Sequence, residues 1–256
     1  MDLLEAQAAA AGDEALARLF RELDRMPESG NLRRIDRVIA EIPPDRRRPI
    51  KGAAFFPGGT GLWNAPTNQG LPVGGVLVLG NTFQSVENCR EHWPDGYGKC
   101  DDPTWRNLIK LLETAGIQPD RCWFTNAYPG LITGRNPEGS VQAIPTLAEW
   151  CHGFFRRSVA LMKPSCILAL GKEPIRFLGR LADIAPWKAY KRFADIDCIR
   201  QHRVTLDLGA VKDVVAVALL HPSRRHGNLH RRRLSGEGDV EAELLTELLK
   251  SAPHLH

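Results

Sequence analysis

A histidine stands where the apolar run at residues 214–220 gives way to Pro222 and Ser223. Imidazole titrates near neutrality, so His221 at the mouth of a buried strand can give or take a proton, or donate a hydrogen bond, in a binding site. Residues 224–233, rich in arginine and histidine, follow directly, and no carboxylate occurs between Asp213 and Glu237. Such a stretch suits a polyanion. Three more apolar runs end in chemically useful residues. Residues 76–79 lead into Gly80, Asn81, Thr82, Phe83 and Gln84; residues 122–125 into Asn126, Ala127 and Tyr128; residues 166–170 into Gly171, Lys172 and Glu173. An amide, an imidazole and a glycine turn beside an aromatic ring form a set that can hold a planar base by its edge and its face.

For these residues to meet, the four runs must lie side by side. Each is continuously apolar rather than alternating, the pattern of strands buried on both faces of a parallel sheet. Helical spacing fills the gaps, at residues 104–115 after Pro103, 145–162 after a turn, 172–181 after Gly171, and 239–250. The expected fold is therefore α/β, a three-layer α/β/α sandwich around a central, mainly parallel four-stranded sheet. Ligands of such sheets bind outside the carboxyl ends of the strands, where the polar residues above are found. Residues 13–26 and 31–42 carry amphipathic helical spacing, and Pro43–Pro44 stops the second. Residues 1–50 are thus expected as a helical extension packed on a main domain of residues 51–256. Residues 55–70, dense in Gly, Pro, Asn and Thr, read as a long loop bordering the site.

Composition limits the alternatives. The 256 residues are 43% hydrophobic, enough for a full core, and the formal charge of +4 is mild, so its clustering matters more than its size. Cys89, Cys100, Cys122, Cys151, Cys166 and Cys198 include no CxxC pair and no zinc-ligand spacing. The expectations are a reduced, cytoplasmic protein with no metal and no cofactor. The acidic start Met1-Asp2-Leu3-Leu4-Glu5 lacks the basic region of a signal peptide, and the longest apolar runs are too short for a bilayer, so no membrane is expected as a partner.

Over residues 73–223 the chain resembles the uracil-DNA glycosylase superfamily. The matching pieces are Val78-Leu79-Gly80 entering the first motif, Asp102-Pro103-Thr104-Trp105-Arg106-Asn107-Leu108 opening a helix, Phe124-Thr125-Asn126 on a strand, Lys163-Pro164 leading to Leu170-Gly171-Lys172, and His221-Pro222-Ser223 as the second catalytic motif. The resemblance implies a monomeric hydrolase that flips a damaged base out of single- or double-stranded DNA and cleaves its N-glycosidic bond. It assigns Asn126 to reading the base edge, Gly80 to the wall of its pocket, and an aromatic ring to stacking, with Phe83, Tyr97 and Trp93 as candidates. It makes His221 the donor to the departing base. Ser223, Arg224, Arg225 and Thr104 would touch DNA, with Arg225 as the wedge in the vacated stack. No iron–sulfur cluster is implied, because the N-terminal pair of cysteines that such branches carry is missing.

One motif departs from the family pattern. Family members carry Gly-x-Asp-Pro, Gly-x-Asn-Pro or Gly-Glu-x-Pro-Gly; this chain has Gly80-Asn81-Thr82-Phe83. Straight alignment puts Thr82 at the water-activating position, and a one-residue shift puts Asn81 there. A threonine hydroxyl holds a water but does not take its proton near neutral pH. The expectation is a glycosylase-like enzyme of weak activity, with a non-catalytic nucleic-acid binder of the same fold as the alternative.

Overall fold

The computed structural model describes residues 14–46, 73–92, 103–134, 141, 144–236 and 238–251. In chain order the elements are α1 (Glu14–Leu23), β1 (Leu32–Arg33), α2 (Ile35–Ala40), β2 (Val76–Ser85), α3 (Val86–His92), α4 (Pro103–Ala115), β3 (Cys122–Ile132), α5 (Pro145–Met162), β4 (Cys166–Leu170), α6 (Lys172–Leu181), α7 (Ala185–Ala189), α8 (Phe193–Asp197), β5 (Arg203–Leu206), β6 (Val214–Leu219), α9 (Pro222–Asn228) and α10 (Val240–Ser251). The expected loop at 55–70, Trp93 and Tyr97 lie outside the described residues.

The strands form one mixed sheet of six, in the order β1-β3-β2-β4-β6-β5. Its centre, β3-β2-β4-β6, is parallel and consists of the four apolar runs. The four-stranded expectation is corrected by two short edge strands, β1 antiparallel to β3 and β5 antiparallel to β6. At two and four residues they are too short for a period-2 signal, and they cover the edges that the parallel centre would leave open.

Alternation along the central strands feeds two cores. Val76, Val78, Cys122, Phe124, Cys166, Leu168, Leu170, Val217 and Leu219 meet Trp105, Leu108 and Leu112 of α4 and Leu245 and Leu249 of α10. Leu77, Leu79, Trp123, Ile167, Ala169, Ala216 and Ala218 face the second core, with Leu19 of α1, Ile35 of α2, Phe154 and Phe155 of α5, and Phe177 of α6. Helices cover both faces, which is why the strands read as continuous apolar runs. Proline at the start of α5 and left-handed Lys163 (φ 47°) before Pro164 at its end fix that helix where the sequence puts it.

The N-terminal region differs from its expected pair of helices. Leu32 has helical spacing with Ile35 and Val38, yet it sits in β1 opposite Ile132, fully buried, and the helix runs only from Ile35 to Ala40. Gly130 makes this pairing possible. A Cβ there would come within 2.7 Å of Met26 Cε and 2.9 Å of the Arg33 carbonyl oxygen, so only a glycine lets β1 lie against β3. Residues 14–46 thus contribute both to the sheet and to the second core.

Strands β2 and β3 also run further than their apolar segments. After Leu79 and Thr125 they continue to pair, Gly80 with Asn126, Thr82 with Tyr128 and Ser85 with Ile132, through a register shift between Thr82 and Gln84. On its other side β2 pairs with β4 only as far as Leu79 and Ala169. Beyond that point β2 and β3 project as a two-stranded arm, and the flank of β2 toward β4 opens. The connection from β2 leads to β3 on one side, and that from β4 leads to the edge strand β5 and then to β6 on the other. Their carboxyl ends therefore flank the topological switch point of the sheet, where α/β proteins bind ligands.

Candidate active site

Gly80, Thr82 and Asn126 all lie on the arm, at the opening beside β4. The period-2 rule gives Gly80 and Thr82 the side of β2 that bears Val76 and Val78, and gives Asn126 the side of β3 that bears Cys122 and Phe124. Gly80 and Asn126 are neighbours in register. Asn126 is 2% exposed, and Gly80 beside it is buried. Thr82 and Asn81 are half-buried, and alternation turns Asn81 toward the opposite face. The Asn81 Oδ1 atom is buried without a hydrogen-bond partner among the described residues, and so is Gln84 Nε2. A buried acceptor left open in this way costs about 1–3 kcal/mol, which a bound water or ligand would recover.

His221 reaches the same end of the sheet from the far side of β4. It is exposed, not turned into the core, and caps the start of α9 with its carbonyl oxygen accepting from Arg224 N at 3.0 Å. Its Nδ1 lies 2.9 Å from Ser223 Oγ. When the hydroxyl donates to Nδ1, the ring proton resides on Nε2. The other wall is Gly171, whose φ of +84° needs glycine and whose amide donates to the Leu219 carbonyl at 2.7 Å. A Cβ at Gly171 would stand 3.2 Å from His221 Cβ. Asn107 Nδ2 on α4 donates to the Pro222 carbonyl oxygen at 2.9 Å, tying the Pro103–Ala115 helix to the His221 turn. Thr104, one turn earlier on α4, is half-buried.

Several expected DNA contacts are placed differently. Ser223 and Arg224 are exposed, as a DNA-facing turn requires. Arg225 is 6% exposed: its Nε donates to Glu241 Oε2 at 2.9 Å and its Nη2 to Asp239 Oδ1. A guanidinium held by two carboxylates beneath the turn is a scaffold group, which corrects its expected role as a wedge. Phe83, expected as a stacking ring, is likewise 6% exposed and belongs to the second core with Leu79 and Val86.

Beneath the turn lies a polar cluster that the sequence reading missed. Arg232 makes a bidentate ion pair with Asp197, at 2.9 Å through both Nε and Nη2, and its Nη1 donates to Glu241 Oε1 and to the Ala218 carbonyl at 3.1 Å. Glu241 also accepts from Leu220 N at 2.8 Å, the amide just before His221. Both ends of the strand exit, Ala218 and Leu220, are thus held by one Arg–Glu pair. The signal existed in the helical period: Glu241 shares a stripe with Leu245 and Leu249, a carboxylate in an apolar row. His202 lies beside this cluster, its carbonyl accepting from Ala218 N at 2.8 Å. Burial lowers its pKa below the usual imidazole value; Asp197 opposes the shift, and Arg232 and Arg203 add to it.

Chemically, the site offers a buried amide on β3, an imidazole donor with a fixed ring on β6, and small or hydroxyl groups on β2 between them. With strands about 4.8 Å apart, the three steps from β3 to β6 span about 14 Å. Among the described residues no group of His, Cys, Asp and Glu is arranged to hold a metal ion, and no helix is long and apolar enough to cross a membrane. No protein-family model and no curated protein matches this chain.

Proposed function

We propose that this protein is a DNA glycosylase-like hydrolase of base excision repair, a monomer acting on uracil or another deaminated or damaged base in DNA. The observation that carries this reading is the placement of Asn126 and His221 on opposite sides of the switch point, where β4 stops and the flank of β2 opens. A base flipped from the helix enters there. Asn126 reads its polar edge, and Gly80 leaves room for the ring. The three-layer arrangement of the family supports the same assignment, with the four parallel strands as its middle layer.

In the reaction, the bond between C1′ and the base nitrogen breaks with its electron pair leaving on the base, while a water oxygen bonds to C1′. His221 Nε2–H, oriented through Ser223, donates to the base oxygen on which negative charge gathers. Thr82 Oγ, on the same face as Asn126, holds the water; Asn81, turned to the opposite face, is out of its reach. The hydroxyl does not take the water's proton, which passes to solvent. Without a general base the rate falls about a hundredfold to ten-thousandfold, so slow turnover is expected.

The test is incubation of the protein with oligonucleotides containing uracil, xanthine or hypoxanthine, followed by alkaline cleavage of abasic sites. Product above that of a His221→Ala, Asn126→Ala double variant supports the reading; equal product sinks the catalytic claim. Thr82 favours one other reading, a non-catalytic binder of damaged or single-stranded nucleic acid. Salt-dependent binding with no abasic product identifies that case.

A further inference from the structure

The three arginines of residues 231–233 do not behave alike. Arg232 is fully buried in its pair with Asp197 and its contact with Glu241, while Arg231 and Arg233 are exposed. The cause is local. Arg231 closes a 3-10 turn (Leu229–Arg231), Arg232 follows it with an extended backbone, φ −71° and ψ 149°, and of the three only Arg232 is turned into the core. Neither Arg231 nor Arg233 has a carboxylate partner among the described residues, and none stands between Asp213 and Glu237 in sequence.

We propose that Arg231 and Arg233 form an anchored clamp for the phosphate backbone of DNA, outside the His221 site. This rests on the proposed DNA partner but not on base excision. Two residues apart on the chain, the two side chains leave the backbone about 6.6 Å apart, so each can reach a different phosphate of one strand. Guanidinium pairs bidentately with phosphate. A run of arginines on a free loop must be ordered on binding; this one is already held. Arg232 Cζ lies 4.8 Å from the centre of the Phe193 ring, Arg232 N donates to the Leu229 carbonyl at 3.0 Å, and Arg233 N donates to Asp197 Oδ2 at 2.9 Å. A buried ion pair is often no more stabilising than a well-packed apolar pair, so the retained Arg232–Asp197 pair is explained here by what it displays on either side.

The experiment compares the wild type, Arg231→Gln/Arg233→Gln, and Arg33→Gln/Arg37→Gln as a charge-matched control at the opposite edge of the sheet. Binding to a fluorescein-labelled undamaged duplex, and to its single strand, is followed by anisotropy between about 50 and 200 mM KCl. Two phosphate contacts contribute a slope of about 1.8 on duplex and 1.4 on single strand, so the wild type should lose about 12-fold and 7-fold more affinity than the clamp variant over that range. Melting curves confirm that both variants are folded. Unchanged slope in the clamp variant, an equal drop in the control variant, or no salt-dependent binding by the wild type overturns the proposal. A reduced slope with no base excision by the wild type keeps the clamp and removes the catalytic reading.

Discussion

Replacing Glu241 should destabilise the protein far more than replacing any surface carboxylate. The side chain is 0% exposed and accepts from Leu220 N, Arg225 Nε and Arg232 Nη1. In Glu241→Ala, Arg232 keeps Asp197 and Arg225 keeps Asp239, but each guanidinium loses one of its charge partners in a buried setting. The Leu220 amide also loses its acceptor. Removing one member of a buried ion pair costs about 3–5 kcal/mol, a range that includes the orphaned groups. For a chain of this size that corresponds to a drop in Tm of about 6–20 °C. Glu241→Gln keeps an acceptor for Leu220 N and should fall between the wild type and Ala. Glu41, half-exposed opposite Arg90, provides the comparison, and Glu41→Gln should cost under about 1 kcal/mol. Urea unfolding followed by circular dichroism, with equal m-values, measures all three. A loss below about 1 kcal/mol in Glu241→Ala would refute the reasoning, because it would mean that desolvation already cancels the cluster's attraction.

Other outcomes follow from the same geometry. Gly171→Ala puts a Cβ at φ +84° and 3.2 Å from His221 Cβ, so about 1–3 kcal/mol of stability should be lost together with any excision activity; full activity would separate His221 from the turn of β4. His152 and His202 are both held below the ordinary value of 6.5, chiefly by burial, with Arg156 and Arg180 adding to the shift at His152. The unfolded chain therefore binds more protons just below pH 6.5 than the native state, so stability is full above that value and declines as pH falls through it. His152→Asn should flatten the fall in Tm between pH 7.5 and 5.5, and an unchanged fall would contradict this. Burial pushes the thiols of Cys89, Cys151 and Cys166 up to about 12 and that of Cys122 well above its usual value, whereas Cys198 is exposed. Iodoacetamide on the native protein at pH 8 should alkylate Cys198 and spare these four; rapid labelling of Cys166 would show that β4 is not buried.

The parallel centre of the sheet was legible because each of its strands is covered on both faces, leaving an apolar run with no polar interruption. Pro145, Gly171 and Pro164 then punctuate α5 and α6 by backbone geometry alone. What the sequence concealed was set by distant pairing. Leu32 has helical spacing but belongs to a strand, because Gly130 leaves the space in which β1 can pair with Leu131 and Ile132 of β3. Gly80 and Asn126 looked like loop residues because strand pairing, not hydrophobicity, carries β2 and β3 beyond their apolar segments. At the site, the position of His221 was readable from the end of its run. The inward turn of Arg225 and Arg232 was not, since their carboxylates lie on α8 and α10, outside the acid-free stretch that suggested a wholly basic surface.

The bond between Leu220 N and Glu241 joins residues 21 positions apart, and the donor strand is made first. During synthesis, then, β2, β3, β4 and the histidine itself all leave the ribosome before the carboxylate that secures the exit of β6. Until α10 docks on α4, Arg225 and Arg232 lack that counter-charge. The strand exit beside His221 is therefore completed only when a helix later in the chain docks.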